Sequence, residues 1–306
     1  MHAGIPDFRV SPDPFLDFEQ DRDRTEKVLA VLDAKPLPEL LGYYWSLSAE
    51  TPPALRQKFV ASALRGEHKA RRVLRMLEGG TFRRPVRAAT LLEIGCGSGA
   101  FLAEAAPRFR QVVGVDIAMR WLQLSRRRFM DREIEVPPLV CCCAESLPFA
   151  DAAFDVVVSY ATLEFARDPD GMLSECARTL RDDGSLLLNT VNRFSIAREP
   201  HAQLWGVGFL PRRWQARYVR WRGRGSFENV HLLSYRELGR LAARYFERRE
   251  VALADIADEA LAGLPFGQRL QVRIYRILKW LPALRWLLER IGPEWDVLLS
   301  QPGPSP

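Results

Sequence analysis

The residues best suited to chemistry lie in one short segment, Glu93-Ile94-Gly95-Cys96-Gly97-Ser98-Gly99. Alternating glycines permit a sharp turn and let the backbone approach a ligand with no Cβ in the way. An apolar run precedes the segment and a helical pattern follows it. The loop therefore leads from a strand into a helix N-terminus, where free N–H groups meet an acceptor on the ligand. Asp116 closes the next apolar run nineteen positions after Gly97, where a carboxylate can accept from both hydroxyls of a ribose. Gly95, Gly97 and Ala100 also satisfy the dinucleotide pattern Gly-x-Gly-x-x-Gly/Ala. Glu93 argues against that ligand: its charge beside the loop repels a pyrophosphate and suits a cationic amino-acid group.

A general base is less clearly marked. Of the four histidines, His201 in Glu199-Pro200-His201 and His231 at the start of a helical stretch both follow the fifth apolar run. Each is a candidate base, and each can equally be structural. Glu164 and Asn192 follow the fourth and fifth runs, at strand ends where open α/β sheets bind ligands. Substrate contact and a solvated or capping role are both open for them. Trp205 belongs to an aromatic cluster with Phe209, Trp214, Tyr218 and Trp221, which either walls an apolar pocket or anchors its own connection.

The elements that must position these groups are legible as short apolar runs at 91–94, 112–115, 140–143, 154–159 and 185–191. Amphipathic helical patterns such as 117–129 and 171–180 lie between most of them. Strand–helix alternation of this kind predicts an α/β fold, a parallel sheet with helices on both faces. Two later strands at 247–254 and 295–300 bring the total to seven. Residues 1–85 read as a helical region, with a long helix from Ala54 to Leu77 stopped by Gly79-Gly80. The remainder, 86–306, reads as the α/β domain, with insertions at about 192–233 and a helical one at 255–293 before the last strand.

Composition sets the class. With 306 residues, 47% apolar and 27% charged, the chain resembles an ordinary globular protein. The first thirty residues hold no apolar stretch and no run nears the roughly 18 residues of a membrane span, so a cytoplasmic location is expected. Cys141-Cys142-Cys143 suits neither a disulfide nor a tetrahedral zinc site, and no resident metal is expected. The net charge of +6 is concentrated in arginines between Arg193 and Glu250. These form either a solvated surface or an attraction for an acidic substrate or anionic lipid. No nucleic-acid-binding motif is present, so nucleic acid is an unlikely partner.

Taken together, Glu93 to Gly99, Val113-Gly114-Val115-Asp116, Cys143 to Phe149 with Phe154 to Ser159, and Leu163-Glu164-Phe165 resemble class I methyltransferases. The resemblance is to the small-molecule branch that includes ubiquinone- and menaquinone-biosynthesis enzymes, over roughly residues 85–192 and the terminal strand. It implies a Rossmann-like fold and S-adenosylmethionine as cofactor. It also implies methyl transfer to a small organic acceptor of metabolite, sugar, quinone or polyketide type; a non-catalytic cofactor-binding partner protein is the alternative. The loop Gly95, Cys96, Gly97 and Gly99 would hold the methionine part, with Glu93 near its ammonium. Asp116 would take the ribose and Ile117 the adenine face. Cys143 and Ala144 would flank the adenine edge beside Glu145, and Ser159 and Tyr160 would face the sulfonium. The family has Asp at the position of Cys143 and His at that of Phe165.

The insertion before the last strand has its own pattern. Ile274, Ile277, Leu278 and Leu281 share one helical face, as do Leu284, Leu287, Leu288 and Ile291, with Pro282 between the two. With its basic flank, 270–291 is either a lid over the site or a peripheral membrane contact.

Overall fold

The structure is a computed structural model that describes residues 4–48, 51–78, 85–224, 226–253, 261 and 266–303. The apolar runs form the strands β1 Thr90–Ile94, β2 Gln111–Asp116, β3 Leu139–Cys141, β4 Phe154–Tyr160, β5 Leu180–Val191, β6 Phe246–Leu253 and β7 Glu294–Pro302. They make one sheet in the order β3-β2-β1-β4-β5-β7-β6, parallel from β1 to β5, with β7 antiparallel to both neighbours. Every residue of β1 is buried, which is why the central strand reads as a continuous apolar run rather than an alternation. Strand order reverses between β1 and β4. Their carboxyl ends open the crevice in which such sheets bind ligands.

Side chains alternate across the sheet. Leu92, Ile94, Val115 and Val157 pack on the face covered by α6 (Pro169–Thr179) and α8 (Tyr235–Ala242). Leu91, Val112, Val156 and Val158 pack on the face covered by α3 (Pro53–Met76), α4 (Ala100–Ala105) and α5 (Met119–Asp131). The expected long helix is thus α3, which brings Ala70, Val73, Leu74 and Leu77 into the core beneath β1. Its expected stop at Gly79-Gly80 lies outside the described residues. The earlier helices α1 (Phe18–Leu29) and α2 (Leu37–Ser46) bury Val28, Leu40 and Leu41 against Leu124 of α5.

Before α1 the chain runs along the outer sheet edge. Phe8 N–H donates to the Cys141 carbonyl at 2.8 Å, and Cys141 N–H donates to the Pro6 carbonyl at 2.9 Å. These bonds occupy an edge that would otherwise stay unpaired. β3 ends at Cys141, two residues earlier than a run to Cys143 predicts, although Cys142 N–H still donates to the Asp116 carbonyl at 3.1 Å. All five cysteines are free and buried.

An ionic knot holds this N-terminal segment down. Arg120 of α5 donates to Asp13 at 3.0 Å, to Asp21, and to the Tyr44 hydroxyl at 3.0 Å, and all three partners are buried. Arg9 donates to the other oxygen of Asp21 at 2.6 Å. Removing one member of a buried pair strands its partner's charge in low dielectric. Arg120→Ala should therefore cost about 3–5 kcal/mol. Thermal unfolding followed by circular dichroism should show the apparent midpoint lower by about 5 °C or more. An unchanged midpoint would mean that the knot carries no stability.

Candidate active site

A cavity of ≈600 Å³ opens at the carboxyl ends of β1, β2 and β4. Its floor is the glycine loop. Gly95 and Cys96 N–H both donate to the Val115 carbonyl, at 2.8 and 3.0 Å, so the chain turns tightly against the neighbouring strand. Gly95, Gly97 and Gly99 all have positive φ, but their glycines serve different ends. A Cβ on Gly95 would strike Thr162, and one on Gly99 would strike Ser125. A Cβ on Gly97 would meet nothing within 4 Å. Gly97 also lines the cavity, so only there does the missing side chain leave room for a ligand.

Asp116 stands beside the loop. One carboxylate oxygen accepts from Gly97 N–H and the other from Ala118 N–H, both at 2.9 Å. Burial pushes its pKa up to about 6, against the lowering effect of these two bonds. A carboxylate has about four acceptor sites, so capacity remains for a pair of hydroxyls. Ile117, Ala144 and Glu145 also line the cavity, although the Glu145 carboxylate accepts from the backbone of Arg167 and Asp168.

Several expected residues fall elsewhere. Glu93 lies buried beneath the loop rather than on the cavity wall; one carboxylate oxygen has no partner, and burial holds its pKa well above the usual range. Cys96 contributes its backbone, while its thiol points inward to within 3.1 Å of where a Gly114 Cβ would lie. Cys143 does not line the cavity: its thiol lies 3.3 Å from the Ser11 hydroxyl, and Cys142 takes the place on the wall. Ser159 is fully buried. Tyr160 turns away, its hydroxyl donating to Asp296 at 3.1 Å and accepting from Arg72 at 2.6 Å, so Ala161 and Thr162 supply this edge of the cavity instead.

Among the remaining candidates, His201 alone reaches the cavity. Its ring stands edge-on to Phe165 at 4.6 Å between centroids, so an imidazole reaches this wall from position 201 rather than 165. Nε2 lies 3.5 Å from Glu164 and 3.8 Å from Glu199. Burial disfavours the imidazolium, but the nearby Glu164 and Glu199 outweigh it, and the pKa moves up from the ordinary value. Glu164 is fully buried and accepts from the Thr190 hydroxyl at 3.0 Å, so it reaches the cavity only through His201. His231 is exposed and donates its backbone N–H to the Glu164 carbonyl; its ring does not join the site. Asn192 is a tether, donating to the carbonyls of Arg290 and Gly292. Trp205 is 64% exposed and donates to the Ile196 carbonyl, away from the cavity.

The largest part of the wall was not expected. Pro14, Phe15 and Leu16 from the N-terminal strap, Trp45 from α2, and Leu55 and Phe59 from α3 cover the cavity. No motif marks them, since each is an ordinary apolar residue in a helical or irregular stretch. Phe15 packs edge-on to Phe165 at 5.6 Å, continuing the wall toward His201. No described residue of 266–291 lines the cavity, so these two helices do not wall it.

The open space at Gly97 and the spare acceptor capacity of Asp116 fit S-adenosylmethionine. Ionised Asp116 is the better acceptor, so affinity for this ligand should fall about tenfold from pH 7 to pH 5, as the carboxylate protonates. Asp116→Asn should flatten that dependence. Calorimetric titration reads both, and a wild-type affinity constant over this range would remove Asp116 from the ribose site. Gly97→Val should abolish binding with the fold intact.

Residues 92–188 match a family described as "Methyltransferase domain". The ubiquinone biosynthesis O-methyltransferase of Idiomarina loihiensis is 28% identical over 174 residues, 56% of this chain and 64% of that protein. The protein of the same name from Alkalilimnicola ehrlichii is 30% identical over 103 residues, 34% of this chain and 42% of that protein. The chain thus spans less than two thirds of the length of either relative. Among solved structures, phosphoethanolamine N-methyltransferase 2 of Haemonchus contortus is 18% identical with a TM-score of 0.48, over 75% of this chain and 52% of that one. The glycine loop, Asp116 and the parallel strands meet in this matched segment: residues 92–188 are similar to S-adenosylmethionine-type methyltransferase domains, those of the ubiquinone-biosynthesis enzymes among them.

Proposed function

We propose that the protein methylates a hydroxyl group on a small, largely apolar organic acceptor, with His201 as the general base. S-adenosylmethionine, when bound, supplies an electrophilic methyl group. The remaining work is positioning, exclusion of water and removal of one proton. Gly97 and Asp116 would hold the cofactor, and Phe15, Leu55, Phe59 and Phe165 would receive the acceptor. Such walls suit a quinone or polyketide type better than a sugar, because they leave a sugar's hydroxyls unpaired. The ubiquinone-biosynthesis O-methyltransferases similar to this chain support the same class.

The observation that carries the reading is the approach of His201 Nε2 to Glu164 within the cavity wall. Facing two carboxylates, Nε2 carries the proton in the neutral ring, which leaves Nδ1 as the basic atom. Glu164 is a positioning residue, fixing the tautomer and stabilising the imidazolium that forms. A cytoplasmic location belongs to the same proposal, since five free cysteines suit a reducing compartment.

A labelled methyl donor tested against catechols, hydroxyquinones and sugars should show transfer to the aromatic hydroxyls. Transfer to sugars alone would overturn the acceptor class, and tight cofactor binding without transfer to any acceptor would favour a non-catalytic role. His201→Asn should lower kcat by about 100-fold or more while cofactor affinity stays within a few-fold. A base works only when neutral, so activity should fall as pH drops through the His201 pKa, which lies above the ordinary imidazole value. Glu164→Gln removes the charge that raises that pKa, so the acid limb should move to lower pH. A limb that stays in place would sever Glu164 from the base.

A further inference from the structure

The C-terminal helices α9 (Phe266–Lys279) and α10 (Pro282–Ile291), with the turn between them, carry a dense row of large exposed apolar side chains. On α9, Phe266, Leu270, Ile274 and Ile277 recur at spacings of four and three, and Leu281 continues the row just past its end. All are exposed, and Trp280 beside them is 87% exposed. The opposite face is accounted for, because Tyr275 and Leu278 pack against the sheet core. Pro282 opens α10, which adds exposed Trp286 and Leu287 while its own Leu288 is buried. Trp295 Nε1 donates to the Glu289 carbonyl at 2.7 Å, which ties α10 to β7. The apolar row is therefore an outward face of an anchored element.

Charge decides what covers it. Across 266–291 stand Arg269, Arg273, Arg276, Lys279, Arg285 and Arg290, against the single acid Glu289, itself 3.2 Å from Arg285. On the helical wheel Arg269, Arg273 and Arg276 lie beside the apolar row, on one flank, while Lys279 falls on the opposite side. A second copy of this chain would set cation against cation across the interface. Anionic headgroups complement the flank, while Trp280 and Trp286 have the amphipathic rings that settle at headgroup depth. Among the described residues no helix is long and apolar enough to span a bilayer, so contact would be from one side.

We propose that α9 and α10 form an interfacial surface that docks the protein on an anionic lipid bilayer. The apolar row enters the headgroup boundary and the arginine flank meets lipid phosphates. The surface is also joined to the active-site wall. Ile196 N–H donates to the Ile291 carbonyl at 3.0 Å, and Asn192 holds Arg290 and Gly292. The same connection then continues to Glu199 and His201.

Docking is independent of methyl transfer and is tested without it. The full chain is sedimented with vesicles of phosphatidylglycerol and phosphatidylcholine in equal parts, and with phosphatidylcholine alone, at low and high salt. Most of the protein should pellet with the anionic vesicles at low salt, and several-fold less at high salt or without the anionic lipid. The double variant Ile277→Ser, Trp280→Ser should pellet several-fold less under the first condition. Its unfolding midpoint should be unchanged, because both side chains are exposed. No pelleting at low salt, or equal pelleting by the variant, overturns the proposal. So does concentration-dependent self-association that the same variant abolishes, which would assign the face to a second copy.

Discussion

A single carboxylate fastens together the two strand ends on which the site depends. Asp116 terminates β2, yet it accepts from Gly97 in the loop after β1 as well as from Ala118 in its own turn. The parallel pairing of Ile94 with Val115 brings the loop within reach, and the Val115 carbonyl completes the attachment by accepting from Gly95 and Cys96. The loop is thus held in shape by the same side chain that fits a ribose. Burial raises the cost of that charge, and the two backbone donors offset only part of it, so the pKa settles near 6. Hydroxyl donors on a ligand would lower the cost further, which is how a preorganised acceptor gains affinity.

Buried charge recurs around the cavity in two other arrangements. The Arg120 knot pairs one guanidinium with Asp13 and Asp21 and pulls an irregular N-terminal strap over the ligand space. Its geometry is well satisfied, so it holds position. The group at His201 is less complete: Glu164 and Glu199 each have an oxygen without a hydrogen-bond partner, and so does His201 Nε2. Three polar atoms close together and incompletely bonded cost stability, but they leave an imidazole whose protonation responds to its surroundings. Such under-satisfied clusters suit chemistry better than scaffolding.

What the sequence determined by itself was local. Short apolar runs between helical patterns specified the strands, since a buried parallel strand needs little beyond β-branched and aliphatic residues. The spacing of Gly95, Gly97 and Asp116 located the ligand loop because the loop and its acid are joined by one βαβ unit. The family resemblance implied the rest of the cofactor set, and it was least reliable where a single residue's orientation mattered. Tyr160 ends β4 and Thr162 lies two residues beyond it, but the strand's pleat and the Asp296–Arg72 pair turned Tyr160 away from the cavity. Cys142, not Cys143, stands on the wall, because β3 ends two residues before its apolar run does and the Cys143 thiol turns to Ser11.

Tertiary structure alone decided which distant segments close the site. Phe15 and Phe59 carry no motif, and they become wall residues only because Asp13 meets Arg120 and α3 packs under β1. His201 and His231 were equivalent in sequence, both lone histidines in a long connection. They differ because Glu164, buried at the end of β4, approaches the ring of one and accepts only a backbone N–H at the other through its carbonyl. The helical periodicity of 266–291 was plain in the sequence, but the side it faces was not. Amphipathic spacing records that a face is apolar; only the packing of Tyr275, Leu278 and Leu288 shows which face the protein itself has already buried.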